Sequence, residues 1–216
     1  MYYNQKNSKS KPGPINGGRS SVIGPLVPQT SSIMRKIVGR TILFLHRWQI
    51  QGSVHNASKF MFTLAPHTSY WDFISSIGTM LSMGLKSQWF IADVFCWWPI
   101  GYLMRWLGGL PIDRTVRHDI VSKMITKFEE EEELLLSIYP EGTTHKTEKW
   151  KTGFWHIAKG AGVPIQLVGL DYKKRVTVFG PVIELSENIE SDMETIQRYF
   201  KDLAPKCPEK FDCEYI

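Results

Sequence analysis

Twice in this chain a short apolar run stops at a proline, first where residues 60–65 meet Pro66 and again where residues 134–139 meet Pro140. Short runs of β-favouring and apolar residues bounded by turn formers predict buried strands. Helical periodicity follows the first of them over residues 69–81. The alternation continues along the chain. A strand is expected near residues 88–92, then a helix over 117–133 with Ile120, Met124 and Phe128 at every fourth position. A helix over 153–159 would stop at Gly160. Strands at 165–170 and 176–179 flank a basic turn, and a helix over 188–203 sets Ile189, Met193, Ile196 and Phe200 on one face. Strands that alternate with helices are joined by crossovers, which pair strands in parallel. The expectation is one α/β domain with a mixed, mostly parallel central sheet flanked by helices, plus an N-terminal amphipathic helix.

That helix spans residues 31–50. Ser31 and Ser32 are its candidate caps, and Ile33, Ile37, Phe44, Leu45 and Trp48 stand among Arg35, Lys36, Arg40 and Arg47. A basic amphipathic helix can lie in an anionic bilayer surface, and it can equally be a core helix with solvated cations. Residues 1–30 are rich in Lys, Ser, Gly, Pro and Asn and read as a disordered arm, so the folded domain is expected over 31–216. A second apolar stretch, residues 95–110, holds Trp97, Trp98, Tyr102 and Trp106 with Arg105 as its one charge. A core, an apolar groove or a membrane-facing surface could use it.

The formal charge of +5 favours anionic partners. The cations are scattered and no nucleic-acid fold signature accompanies them, so nucleic acid is not expected as a partner. Cys96, Cys207 and Cys213 form no CxxC pattern, which points to idle thiols in a reducing compartment. The first residues lack the basic-then-apolar order of a signal peptide, and no run approaches the ~20 apolar residues of a spanning helix. No metal-ligand spacing occurs; the acidic run at 129–133 is simplest as the solvated end of a helix.

Three segments carry chemistry. In Ala65-Pro66-His67-Thr68-Ser69-Tyr70-Trp71-Asp72, a strand ends, His67 stands at its lip, and Asp72 falls in the first turn of the next helix. Folding back, the Asp72 carboxylate would fix the imidazole tautomer, leaving the other ring nitrogen to take a proton from a hydroxyl. The alternative is a capped helix beside an ordinary loop histidine. Arg114, after Gly108-Gly109-Leu110-Pro111-Ile112-Asp113, could clamp a phosphate or pair with Asp113 or Asp119. Glu141, Gly142 and Thr143 form a turn after Tyr139-Pro140 whose amides could bind an anion, or which could be a tight turn with polar decoration.

Together, and in this order, the segments resemble the four motifs of the glycerophosphate/lysophospholipid acyltransferase family, in its short bacterial branch. His67 and Asp72 match the first motif, a His and an Asp separated by four residues. Residues 109–114 match the second, 139–143 the third, and Val163-Pro164-Ile165 the fourth. Pro66 stands where many members carry Asn, and Thr144 where many carry Arg. His145, Lys146, Lys149 or Lys151 would replace that cation, or the acceptor lacks the phosphate. The resemblance implies an acyltransferase acting on a lysophospholipid or glycerophosphate-like hydroxyl, peripherally attached to the cytoplasmic face of a membrane. It implies acyl-CoA or acyl-carrier protein as co-substrate and no other cofactor or metal. His67 and Asp72 would be catalytic, with Arg114, Glu141, Gly142 and Thr143 binding the acceptor. An apolar channel lined by Trp97, Tyr102 and Trp106 would take the acyl chain. The competing readings are a hydrolase that sends water to the same thioester, and a non-catalytic lipid-surface module.

Overall fold

A central strand buried on both faces organises the molecule. The computed structural model describes residues 23–92, 97–112 and 117–212. β2 (Lys59–Ala65) sends Phe60, Phe62 and Leu64 to one side of the sheet and Met61 and Ala65 to the other, and all five are buried. Its neighbours are β5 (Leu134–Ile138) and β6 (Ile165–Asp171), both parallel to it. With β1 (Gln49–Gly52), β3 (Ser87–Ala92), β4 (Gly109–Ile112) and β7 (Val176–Ile183) they form one seven-stranded sheet in the order β1-β7-β6-β2-β5-β3-β4. The β6–β7 pair, joined by a short turn, is antiparallel and the other pairs are parallel. This is the mixed, mostly parallel α/β arrangement expected from the sequence.

Among the described residues, six α-helices flank the sheet: α1 (Ile33–His46), α2 (Tyr70–Met83), α3 (Ile100–Trp106), α4 (Arg117–Glu130), α5 (Gly153–Ala161) and α6 (Ile189–Phe200). One face of the sheet meets α2 through Phe60, Phe62, Leu64, Met80 and Met83. The other meets α4, α5 and α6 through Met61, Phe128, Phe154, Ile157, Met193 and Phe200. Both layers exclude water from the parallel strands, as such a sheet requires.

α1 crosses α2 at two glycines. A Cβ on Gly39 would lie 2.2 Å from the Ser82 backbone nitrogen, and one on Gly78 would lie 2.7 Å from the Ile42 side chain. The helices cannot take a side chain at the first contact without moving apart. Gly39→Val is expected to cost about 1–3 kcal/mol, the usual penalty of overpacking. Urea denaturation of the variant against the parent checks this.

The structure corrects several boundaries. The helix expected to reach residue 50 ends at His46. Arg47 adopts a left-handed conformation with φ 52°, and its N–H donates to carbonyls of the last turn. Trp48 then turns inward, its Nε1–H donating to Thr177 Oγ1 at 2.8 Å, and residues 49–52 become an edge strand on β7. Gly160 does not stop α5: it packs against Ile125, and Gly162, at φ +64°, is the residue past the helix end. Residues 23–30 of the expected arm carry Val27, buried beneath α2, and Gln29 bridges Leu85. Residues 1–22 lie outside the described residues.

Candidate active site

β2, β5 and β6 run parallel side by side, so their carboxyl ends share one edge of the sheet. That edge is where open α/β sheets place their ligands. The first residues beyond each strand meet there: His67 after β2, Tyr139 and Glu141 after β5, and Tyr172 after β6.

The turn from β2 into α2 is built around Asp72. Its Oδ2 accepts the backbone N–H groups of Thr68 at 2.5 Å and Ser69 at 2.8 Å, while the Ser69 hydroxyl donates to Oδ1 at 3.3 Å. The carboxylate thus satisfies amides that α2 leaves unpaired at its start, and it also favours the positive end of the helix dipole. The same Oδ2 lies 3.8 Å from His67 Nδ1, and Asp72 is fully buried. At this distance the two groups are close but not hydrogen-bonded, and catalytic pairs commonly tighten when substrate binds. Burial pushes the imidazole below its ordinary pKa, with the Asp72 charge opposing. A neutral imidazole, ready to take a proton, is therefore favoured at neutral pH.

Aromatic and carboxyl groups hold the imidazole from other directions. The Tyr139 ring stacks on His67 with centroids 4.0 Å apart and planes 20° apart. The Tyr139 hydroxyl donates to the Asp72 carbonyl at 3.2 Å and shares a hydrogen bond with Ser76 Oγ at 2.6 Å. The His67 N–H donates to Glu141 Oε1 at 2.7 Å. Burial pushes Glu141 up to about 8, so its carboxyl is largely protonated at neutral pH. Burial, with the Asp72 carboxylate adding to it, raises the Tyr172 phenol. A segment near the end of the chain straps the turn down: the Cys207 N–H donates to Thr68 Oγ1 at 3.2 Å, and Lys206 Nζ lies 4.5 Å above the Trp71 ring.

His67 opens onto a cavity of about 1120 Å³ whose walls are mostly apolar. α3 and the residue after it contribute Ile100, Met104 and Leu107 to it, which corrects the expected lining. Trp97 and Tyr102 lie on the outer side and are exposed, and Trp106 is half-buried beneath the Arg35 guanidinium. Among the residues expected to bind an acceptor, Gly142 lines the cavity with φ +64°. Thr143 Oγ1 caps its own turn, accepting the His145 N–H at 3.2 Å. Glu141 is buried and ties the third motif to the first through the His67 amide. Arg114, Asp113, Cys96 and Cys213 lie outside the described residues. Of the four cations near Thr144, Lys151 lines the cavity, its Nζ 2.6 Å from where a Cβ on Gly142 would sit. Lys146 instead pairs with Asp212 at 3.6 Å.

The sequence points to His67 and Asp72 as neighbours, but not to Ser76, Tyr172 or the 206–207 strap that surround them. Ser76 was detectable in principle, one helical turn beyond Asp72. Nothing local marks residues about a hundred positions away.

A histidine, a buried carboxylate and a large, mostly apolar cavity meet at the carboxyl edge of the seven-stranded sheet, the place and the lining of a small-molecule site in an α/β fold. The sequence model of the family described as Acyltransferase matches residues 48–170, more than half of the chain, so this protein belongs to the acyltransferase family. The chain is also similar in fold to the crystal structure of the 1-acyl-sn-glycerophosphate (LPA) acyltransferase PlsC from Thermotoga maritima. The TM-score is 0.60 and the identity 16%, over 78% of this chain and 76% of that one. A comparison with curated proteins found no match.

Proposed function

We propose that this acyltransferase moves a fatty acyl group from an acyl thioester, acyl-CoA or acyl-carrier protein, to a hydroxyl of a lysophospholipid or glycerophosphate-like lipid, with His67 as general base. The observation that carries the reading is the His67 imidazole, which lines an apolar cavity with its Nδ1 3.8 Å from a buried carboxylate. Asp72 positions the ring and stabilises the imidazolium as it forms. Nε2 takes the proton from the acceptor hydroxyl, and the oxygen attacks the thioester carbonyl carbon. The tetrahedral intermediate collapses, the C–S bond breaks, and the imidazolium returns its proton to the departing thiolate. No nucleophilic serine or cysteine is required. Gly142, Thr143, Arg114 and Lys151 are assigned to the acceptor head group, and Glu141 to holding the His67 backbone.

The acceptor is a membrane lipid, and the exterior around the cavity fits one. On α1, Ile33, Met34, Ile37, Phe44 and Leu45 are exposed on the side away from the Gly39 crossing. α3 adjoins the start of α1 through Arg35, whose guanidinium donates to the Trp106 carbonyl. Tyr102 on α3 is exposed, and so is Trp98 just before it. Exposed large apolar side chains gathered on one helix face mark an interaction surface. Arg40 and Arg47 stand exposed beside the stripe and complement the anionic lipids of a cytoplasmic leaflet. Among the described residues, no helix is long and apolar enough to cross a membrane. The stripe therefore lies in the interface plane.

Phe44 and Leu45 are 80% and 72% exposed, so replacing both with Glu leaves the core intact. Each contributes about 1.5–3 kcal/mol when buried, and the double variant should bind phosphatidylglycerol vesicles at least about tenfold more weakly. Vesicle flotation reads this, and undiminished binding would remove α1 from the membrane interface. The chemistry is tested with labelled acyl-CoA and acyl-carrier protein against a panel of lipid acceptors. Full-rate release of free fatty acid without any acceptor would make the protein a thioester hydrolase instead.

A further inference from the structure

A general base works only if its ring is aimed, and the His67 ring is not aimed by a hydrogen bond at Nδ1. That atom is buried without a partner. Asp72, 3.8 Å away, gives the same Oδ2 to the Thr68 and Ser69 amides. The Glu141 carboxyl holds the His67 backbone and not its ring. Asp72 therefore reaches the imidazole across a gap, and the direct contact belongs to Tyr139. The two rings lie face to face, with centroids 4.0 Å apart and planes 20° apart. A contact on the flat face leaves both nitrogens, which stand on the ring edge, unobstructed.

Tyr139 is itself fixed at both ends. Its backbone follows Ile138, the last residue of β5, in register with Thr63 of β2. Its hydroxyl donates to the Asp72 carbonyl at 3.2 Å and shares a hydrogen bond with Ser76 Oγ at 2.6 Å. Between these ends the side chain packs against the apolar clusters of Phe62 and Leu64 and of Trp48 and Leu170. The ring cannot swing without breaking its tie to α2, the helix that carries Asp72. The carboxylate and the plane of the imidazole are thus set from one frame. The face of an aromatic ring also attracts a cation, so the stack favours the imidazolium that burial opposes.

We propose that Tyr139 is a positioning residue of this site: its ring sets the plane of the His67 imidazole and supports the imidazolium, and its hydroxyl locks that ring to α2. This rests on the acyl-transfer reading and deepens it. Misplacing a catalytic group by about 1 Å can cost about 10²-fold, so loss of the stack should appear in kcat rather than in KM.

Tyr139→Leu keeps an apolar side chain and removes the ring, whereas Tyr139→Phe keeps the ring and removes the hydroxyl. Tyr139→Met serves in place of Tyr139→Leu if a thermal melt shows that the latter does not fold. With labelled palmitoyl-CoA and 1-oleoyl lysophosphatidate, Tyr139→Leu should lower kcat at least about tenfold and leave both KM values within about twofold. Tyr139→Phe should keep kcat within about threefold of the parent. The stack itself is read by NMR of protein carrying labelled histidine, with His67→Ala assigning the signals. The His67 ring protons should be displaced upfield by the Tyr139 ring current in the parent and in Tyr139→Phe, and Tyr139→Leu should lose that displacement. A residue that merely filled the core would lower the melting temperature without separating kcat from KM. The proposal is overturned by a smaller loss of kcat in Tyr139→Leu, by an equal loss in Tyr139→Phe, by a KM that rises as steeply as kcat falls, or by ring protons that show no upfield displacement in the parent. Should the parent transfer no acyl group, the functional reading fails on its own, and the NMR still decides the positioning. One His67 ring orientation in the parent and in Tyr139→Phe that averages in Tyr139→Leu supports it, and the same orientation in all three overturns it.

Discussion

Replacing His67 with Ala is expected to lower kcat for acyl transfer by about 10²–10⁴-fold, the usual worth of general-base catalysis, with little change in the KM for the thioester. Asp72→Asn should lose a comparable amount, since a carboxylate-to-amide exchange beneath a catalytic imidazole costs about 10⁴ in serine proteases. The two variants fail for different reasons. His67 lines the cavity, and truncating it removes the base while leaving the turn around Asp72 intact. The carboxamide introduced by Asp72→Asn can keep its oxygen on the Thr68 and Ser69 amides, so α2 should still form. What it loses is the negative charge that supports an imidazolium. Asp72→Ala is a poorer probe, because it also removes a helix cap worth about 0.5–2 kcal/mol. Thermal melts establish folding, and steady-state kinetics with labelled acyl-CoA give the rates. If a folded His67→Ala or Asp72→Asn enzyme kept turnover within about twofold of the parent, the assignment of the base would be wrong.

How much of this was readable from the sequence depends on how local each signal is. Pro66 and Ser69 sit beside the residues they govern, and the first motif was placed correctly, strand end, lip histidine and helical aspartate alike. β1 was missed because Gln49, Ile50, Gln51 and Gly52 carry no strand pattern; pairing with β7 makes them a strand. Gly160 and Gly162 look alike as helix stops, and packing against Ile125 decides between them. The aromatic stretch misled in an instructive way. Trp97, Trp98 and Tyr102 look like the lining of an apolar channel, yet the channel takes the aliphatic side of α3 and the aromatic side is left outside. Composition is the same for either side; which one turns inward is set by how α3 packs against β4. Tyr172 and Cys207 reach the first motif only through the fold, because β6 adjoins β2 and the chain end crosses above it.

Glu141 should give the enzyme an upper pH limb that Glu141→Gln abolishes. Buried beside Asp72 and bonded to the His67 amide, its carboxyl is pushed up to about 8. In an unfolded chain a glutamate titrates near about 4.3. Between those values the native protein holds a proton that the unfolded chain has lost, so stability falls as pH rises through the window and levels off above about 8. Ionisation above that point also sets a buried charge behind the base and next to Asp72. At pH 9 about a tenth of the molecules would keep the neutral carboxyl, and wild-type kcat/KM should stand about tenfold below its own plateau. The amide oxygen of the Gln variant can accept the His67 N–H as the protonated acid does, but it cannot ionise. Its profile, scaled to its own plateau, should stay level to pH 9 after correction for spontaneous thioester hydrolysis. Its melting temperature should lose the Glu141 contribution to the decline between pH 5 and 8. The lower limb, set by protonation of His67, should persist in both proteins and fall below the ordinary histidine value of about 6.5, because burial disfavours the imidazolium. An unchanged upper limb in Glu141→Gln would place the titrating group elsewhere and leave Glu141 as a structural tie alone.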